Sequence, residues 1–193
     1  MKKNQPNQIN QPKEYITTYK KHRFSPLNPQ IEDIDIEDIA HSLSLMCRAN
    51  GHFNGFFSIA RHCTNCCKEG IARKLDRQVM LMLLLHDASE AYISDLTRPV
   101  KLGLPEYVAI EERLQSVIWK KFKITPTASD LKAVGEIDDM MLRLEFLHFA
   151  GEVIEIESVE SVPPVIPPDF GMRSFVEDER EFLELYKKIV ESD

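Results

Sequence analysis

A chain of 193 residues has the length of one domain, and 43% apolar with 28% charged residues is the balance of a globular protein that buries a sizeable core. Its 24 basic and 31 acidic side chains leave a net charge of −7, which excludes a general nucleic-acid binder but not a small anionic ligand held by local cations. No apolar run approaches the roughly 20 residues that span a bilayer, and the first fifteen residues lack the apolar core of a secretory signal. A cytoplasmic protein with no membrane partner is expected, its four cysteines present as thiols.

Residues 1–14 are rich in Asn, Gln and Pro and read as a flexible polar tail before a single domain over 15–193. Tyr15 to Phe24 reads as a short strand or an extended arm, and Ser25 to Gln30 as turn chemistry. Asp35 is a good N-cap for a first helix that carries Ile36, Ile39, Ala40, Leu43 and Met46 inward and ends at Asn50-Gly51. Its acidic surroundings, IEDIDIED, read as capping and a solvated face. A second helix is expected from Ser58 to Lys68, and a third from Leu75 to Tyr92.

Thr97-Arg98-Pro99 breaks the pattern before a helix over Pro105 to Lys121, with proline in its first turn. Thr127 or Ser129 can cap a long helix to Ala150, with Leu131, Val134, Ile137, Met141 and Leu144 as its stripe. The prolines of 162–168 enforce an extended loop, and a last amphipathic helix fits Ser174 to Val190. The fold class expected is an all-α bundle of six or seven helices with few or no strands.

The chemistry gathers on the third helix. Seven apolar residues, Val79 to Leu85, run straight into His86-Asp87, with Glu90 four beyond the histidine. Residues three or four apart share a helix face, so an imidazole and two carboxylates stand at the end of a buried segment. A buried carboxylate is costly unless paired or bound to a metal. His62 shares a stripe with Ile59 and Cys66, and Asp138 follows Val134 by four, whereas its neighbour Asp139 should point further out. Four groups from three helices, His62, His86, Asp87 and Asp138, thus face inward.

Two imidazoles and two carboxylates suit one divalent ion: Mn, Co, Fe, Ni, Zn or Mg. Each has a bland rival: an inward histidine is more often a satisfied core residue, and the aspartates could be caps or salt-bridge partners. Cys63, Cys66 and Cys67 form half of a zinc knuckle at most and read as small buried hydrophobes.

The ordered pieces FFSIARH, LLLHDASEAYISDLTRPVK, LPEYVAIEE, IDDMMLRLE and VIPPDFGM resemble the HD-domain metal-dependent phosphohydrolases, closest to the small bacterial and phage 5′-deoxynucleotidase-like branch. The resemblance covers residue 36 through the last helix and implies the HD helical bundle. It implies His62, His86, Asp87 and Asp138 as metal ligands, Glu90 with Asp95 as catalytic acids, and Arg48, Lys101 and His52 as phosphate or substrate contacts. Arg61 stands before His62 where many relatives have Glu or Gln, which places a positive charge beside the expected centre.

The activity implied is hydrolysis of a small-molecule nucleotide, a deoxynucleoside 5′-monophosphate giving deoxynucleoside and phosphate. A deoxynucleoside triphosphate triphosphohydrolase needs the same ligands and remains an alternative. A third reading, a non-catalytic nucleotide-binding HD protein, predicts a missing ligand or acid. A homodimer or higher homo-oligomer is also compatible with the resemblance.

Overall fold

The computed structural model describes residues 14–154 and 163–191. Most of the expected tail, and Val162 at the head of the proline-rich loop, lie outside them. Among the described residues the fold is all-α, with eight helices and one two-stranded sheet. Tyr15 to Phe24 resolves into an antiparallel hairpin, β1 (Ile16–Thr17) and β2 (Arg23–Phe24), pairing Ile16 with Phe24. Its docking partner is Asp38, which accepts from the Lys20 backbone at 2.6 Å and is 3% exposed. The acid cluster is therefore not all solvated face.

Helix α1 (Ile36–Leu45) starts where Asp35 accepts the Glu37 N–H at 2.8 Å. It stops short of Asn50-Gly51, because residues 46–48 pair as extended backbone with 57–59. Ile59 N–H donates to Met46 at 3.0 Å and Arg48 N–H to Phe57 at 2.8 Å. That pairing outcompetes further helical turns and brings Arg48 beside the start of α2 (Ile59–Ala72). Ala49 and Asn50 then turn with φ of 51°, a conformation costing about 1–2 kcal/mol per residue that the flanking bonds must offset.

Helix α2 is capped by the Ser58 hydroxyl and buried on nearly every side, as befits an element enclosed by α1, α3, α7 and α8. Gly70 allows its closest approach to α3 (Arg77–Leu85): a Cβ there would lie 2.5 Å from Leu83 Cδ1.

The expected continuous helix from Leu75 to Tyr92 is broken. Helix α3 ends at Leu85, and α4 (Glu90–Ile93) resumes after a tight passage through His86–Ser89, with Ala88 bonded to Leu85 and Glu90 to Asp87. A side chain from elsewhere makes the break. Gln115 donates to the Leu85 carbonyl at 2.8 Å and accepts the Ser89 N–H at 3.2 Å, the two groups that would bond each other in an unbroken helix. Two residues earlier the His86 ring takes the Leu83 carbonyl, giving it Nδ1–H at 2.9 Å.

Arg98–Leu102 forms the short α5. Helix α6 (Pro105–Lys121) has the expected bounds, and α7 (Ala128–Phe149) is closed by a reciprocal Thr127–Asp130 capping box. Leu131 is 53% exposed, so the inner stripe of α7 begins at Val134. Helix α8 (Phe175–Glu191) completes one contiguous core from Phe24 to Ile189. No described helix is long and apolar enough to cross a membrane.

Candidate metal centre

Helices α2 and α7 and the break between α3 and α4 deliver the centre. From α2 comes His62, fully buried, with Nδ1 2.6 Å from Glu145 Oε1 of α7. A carboxylate oxygen only accepts, so Nδ1 carries the hydrogen and Nε2 is the nitrogen open to a proton or a metal ion. His86 is committed in the same way by the Leu83 carbonyl. The two Nε2 atoms face each other 3.1 Å apart. Two lone pairs at that distance repel unless a cation or proton lies between them.

Asp138 Oδ1 lies 3.0 Å from His62 Nε2 and 3.7 Å from His86 Nε2. Asp87 Oδ2 lies 3.8 and 3.4 Å from the same atoms and is buried without a hydrogen-bond partner. Tetrahedral coordination with bonds near 2.05 Å has edges of about 3.3 Å, so these separations suit donors around one ion. The orphaned Asp87 oxygen and the facing imidazoles fit a divalent cation. His62, His86, Asp87 and Asp138 are brought together as the spacing of the sequence suggests.

The electrostatics agree. Burial opposes a charge on His62, as does Arg48, yet Cys66, Glu145 and the bond to Asp138 hold its pKa well above the ordinary value. Burial likewise works against His86, but Asp87 and Asp138 outweigh it and raise its pKa. Burial pushes Asp138 up, while its bonds to the two rings hold it well below the usual carboxylate range. A field that draws protons onto two buried imidazoles is one that a divalent cation would neutralise.

Around this core stand the other expected residues. Glu90 is 4% exposed, and burial, then Asp87 and Asp95, push its carboxyl well above the usual range against the pull of Arg48 and Lys101. Its Oε2 also has no hydrogen-bond partner. Lys101 reaches Glu90 at 3.9 Å and Glu111 at 2.7 Å. Arg48 spans Asp87 at 3.5 Å and Glu145 at 3.3 Å. Asp95 is half-buried and acts on Glu90 through its charge. His52 is exposed on the turn after Arg48, and no described hydrogen bond or ion pair joins its ring to the centre.

Two expectations are corrected. Arg61 does not charge the centre. One residue on from Ala60 and one before His62, it points to another side of α2. There it bonds Asp169 at 3.1 Å and the Gly171 carbonyl, 3.9 Å from Asp178. Asp139 does not point further out than Asp138: its side chain is 15% exposed against 31%, and Arg98 binds it at 3.1 Å.

Glu145 was missed by the reading of the sequence, and Cys66 was read there only as a small buried hydrophobe. Glu145 follows Asp138 by two turns of α7, so an acid recurring on that inner face was the available signal. Cys66 Sγ lies 3.7 Å from His62 Nε2 and groups with both imidazoles as a potential ligand, while Cys63 groups with His86 and Asp87.

No family model matches the chain. It is 36% identical over 115 residues to the uncharacterized protein YfdR of Escherichia coli (strain K12), a match covering 60% of this chain and 62% of the relative's length. The chain thus spans less than two thirds of that relative. It is 34% identical over 137 residues to the uncharacterized protein RCAP_rcc00048 of Rhodobacter capsulatus, covering 67% of this chain and 69% of the relative.

Proposed function

The chain belongs to one family with RCAP_rcc00048 of Rhodobacter capsulatus, and from its paired imidazoles we propose a divalent-metal-dependent phosphohydrolase of the HD kind. The substrate class proposed is deoxynucleoside 5′-monophosphates. The observation that carries the metal is the 3.1 Å approach of two Nε2 atoms whose partner nitrogens are already committed as donors. The choice of a phosphoester, and of a nucleotide, rests on the ordered motifs that resemble the HD phosphohydrolases.

His62, His86, Asp87 and Asp138 would hold the ion, which when bound supplies the Lewis acidity that activates water and draws charge from a phosphoryl oxygen. The protein's own work is positioning and charge neutralisation. Arg48 and Lys101 offer cations on two sides of the centre, each already balanced by a carboxylate that a phosphate would displace or share. Glu90, whose carboxyl burial pushes above the usual range, is placed to carry a proton and deliver it to the leaving sugar oxygen. Asp95 sustains that raised pKa.

The test is a panel of deoxy- and ribonucleotides, mono- to triphosphate, assayed with Mn, Co, Mg and Zn. Release of inorganic phosphate from deoxynucleoside monophosphates, abolished by chelation, is expected. Tripolyphosphate released from triphosphates would replace the proposal with the triphosphohydrolase reading. Nucleotide binding without turnover under every ion would replace it with the non-catalytic one.

A further inference from the structure

The floor of the centre carries sulfur. His62 and Cys66 are four apart on α2, so they share one face, and both are fully buried. The Cys66 sulfur lies 3.7 Å from His62 Nε2 and belongs with His62 and His86 to a group whose donor atoms all fall within 4.8 Å of one another. With the four ligands above, Cys66 makes five, and a five-coordinate ion sets neighbouring donors about 90–120° apart, so that bonds of about 2.05 Å to nitrogen and 2.3 Å to sulfur give N–S edges of about 3.1–3.8 Å. The observed separation therefore suits a shared ion as well as the imidazole pair does. Cys63, one residue from His62 and rotated about 100° around the helix, groups with His86 and Asp87 but not with His62.

We propose that Cys66 Sγ is a further ligand of this centre and biases it toward thiophilic ions, Zn(II) and Co(II), over Mg(II) and Mn(II). This rests on the metal-centre reading above. Oxygen and imidazole donors alone accept the whole divalent series, whereas a thiolate favours softer ions and disfavours Mg(II). The ion takes the place of the thiol proton, which passes to solvent, so sulfur enters the coordination sphere as thiolate. The sulfur comes from the buried side of the site, leaving Glu90, Arg48 and Lys101 free for a substrate.

The experiment is titration of the full-length apoprotein with Co(II), read by absorption. Visible d–d bands report binding, and a thiolate-to-cobalt charge-transfer band in the near ultraviolet reports sulfur ligation. Wild type is expected to show both. Cys66→Ser and Cys66→Ala should lose the charge-transfer band and keep the d–d bands, while Cys63→Ser keeps both. Competition of Zn(II) with Mn(II) should show the preference for zinc falling in Cys66→Ala by at least about 10–100-fold, the loss that removing even a supporting residue brings.

Visible bands without a charge-transfer band in wild type would overturn the role of Cys66 and leave the centre standing. A charge-transfer band lost in Cys63→Ser and kept in Cys66→Ser would overturn it equally. No Co(II) uptake at all would remove the centre and the sulfur ligand together.

Discussion

Helix α2 presents two buried polar faces, and they have been finished differently. On one, Arg61, Asn65 and Glu69 stand at successive turns and receive the loop after residue 162. Glu69 accepts the Val165 N–H at 2.9 Å, Asn65 exchanges two bonds with the Asp169 backbone, and Arg61 takes Asp169 and Gly171. Ser58 extends the set to Asp178 of α8 at 2.7 Å. On the other face His62 and Cys66 look toward Asp87 and Asp138, where donors are scarce and acceptors crowd together.

On the first face the two atoms without hydrogen-bond partners, Arg61 Nε and Asp178 Oδ1, are opposite charges 3.9 Å apart, whereas on the second they are two carboxylate oxygens, Asp87 Oδ2 and Glu90 Oε2. Buried polarity alone does not mark a functional site. Buried carboxylates that outnumber the hydrogen bonds offered to them do, because leaving a buried acceptor unpaired costs about 1–3 kcal/mol.

The contrast can be broken by substitution. The largest effect is expected from Glu90→Gln, which removes the proton-carrying group while keeping its volume. Turnover should fall by about 10²–10⁴ with metal content and melting temperature unchanged. A rate within a few-fold of wild type would take Glu90 out of the chemistry.

Arg61→Met should do the reverse. It leaves Asp169 and Asp178 facing an apolar chain, at about 3–5 kcal/mol for a broken buried pair. At about 2–4 °C per kcal/mol for a chain of this size, the thermal midpoint should drop on the order of 10 °C, with Co(II) affinity retained by the folded fraction. Metal loss without destabilisation would show that the two faces are not independent.

Glu145→Gln sharpens the boundary. It weakens the partner that fixes the His62 tautomer, so metal affinity, measured by competition with a chelating dye, should fall about 10–100-fold. The smallest effect is expected from Gln115→Leu. It strands the Leu85 carbonyl and the Ser89 N–H, costing about 1–3 kcal/mol in denaturant unfolding, and loosens His86 and Asp87 together.

Much of this was legible beforehand, for identifiable reasons. Helix α6 was read to its bounds because proline marks its first turn and lysines its last. His62, His86, Asp87 and Asp138 were placed inward by their spacing from Ile59, the Val79–Leu85 run and Val134, and inward they lie. Spacing failed where a partner distant in sequence decides the outcome. The end of α1 is set by backbone pairing with residues 57–59, and the break after Leu85 by an amide from α6. Neither leaves a local trace. Arg61 misled because adjacency in sequence was taken for adjacency in space, although neighbours on a helix differ by about 100° in direction. Asp139 misled in the opposite way, since Arg98, forty-one residues away, covers it.

The Gln115 amide splices itself between Leu85 and Ser89, and so the histidine–aspartate pair is not a portable cassette. Excised as a peptide, residues 77–93 would be free to heal into one uninterrupted rod, with Ser89 recovering Leu85 as its own partner. His86 and Asp87 would then splay in directions unrelated to His62. Anyone grafting this centre onto another scaffold would have to bring along a wedge from a neighbouring helix as well as the ligands.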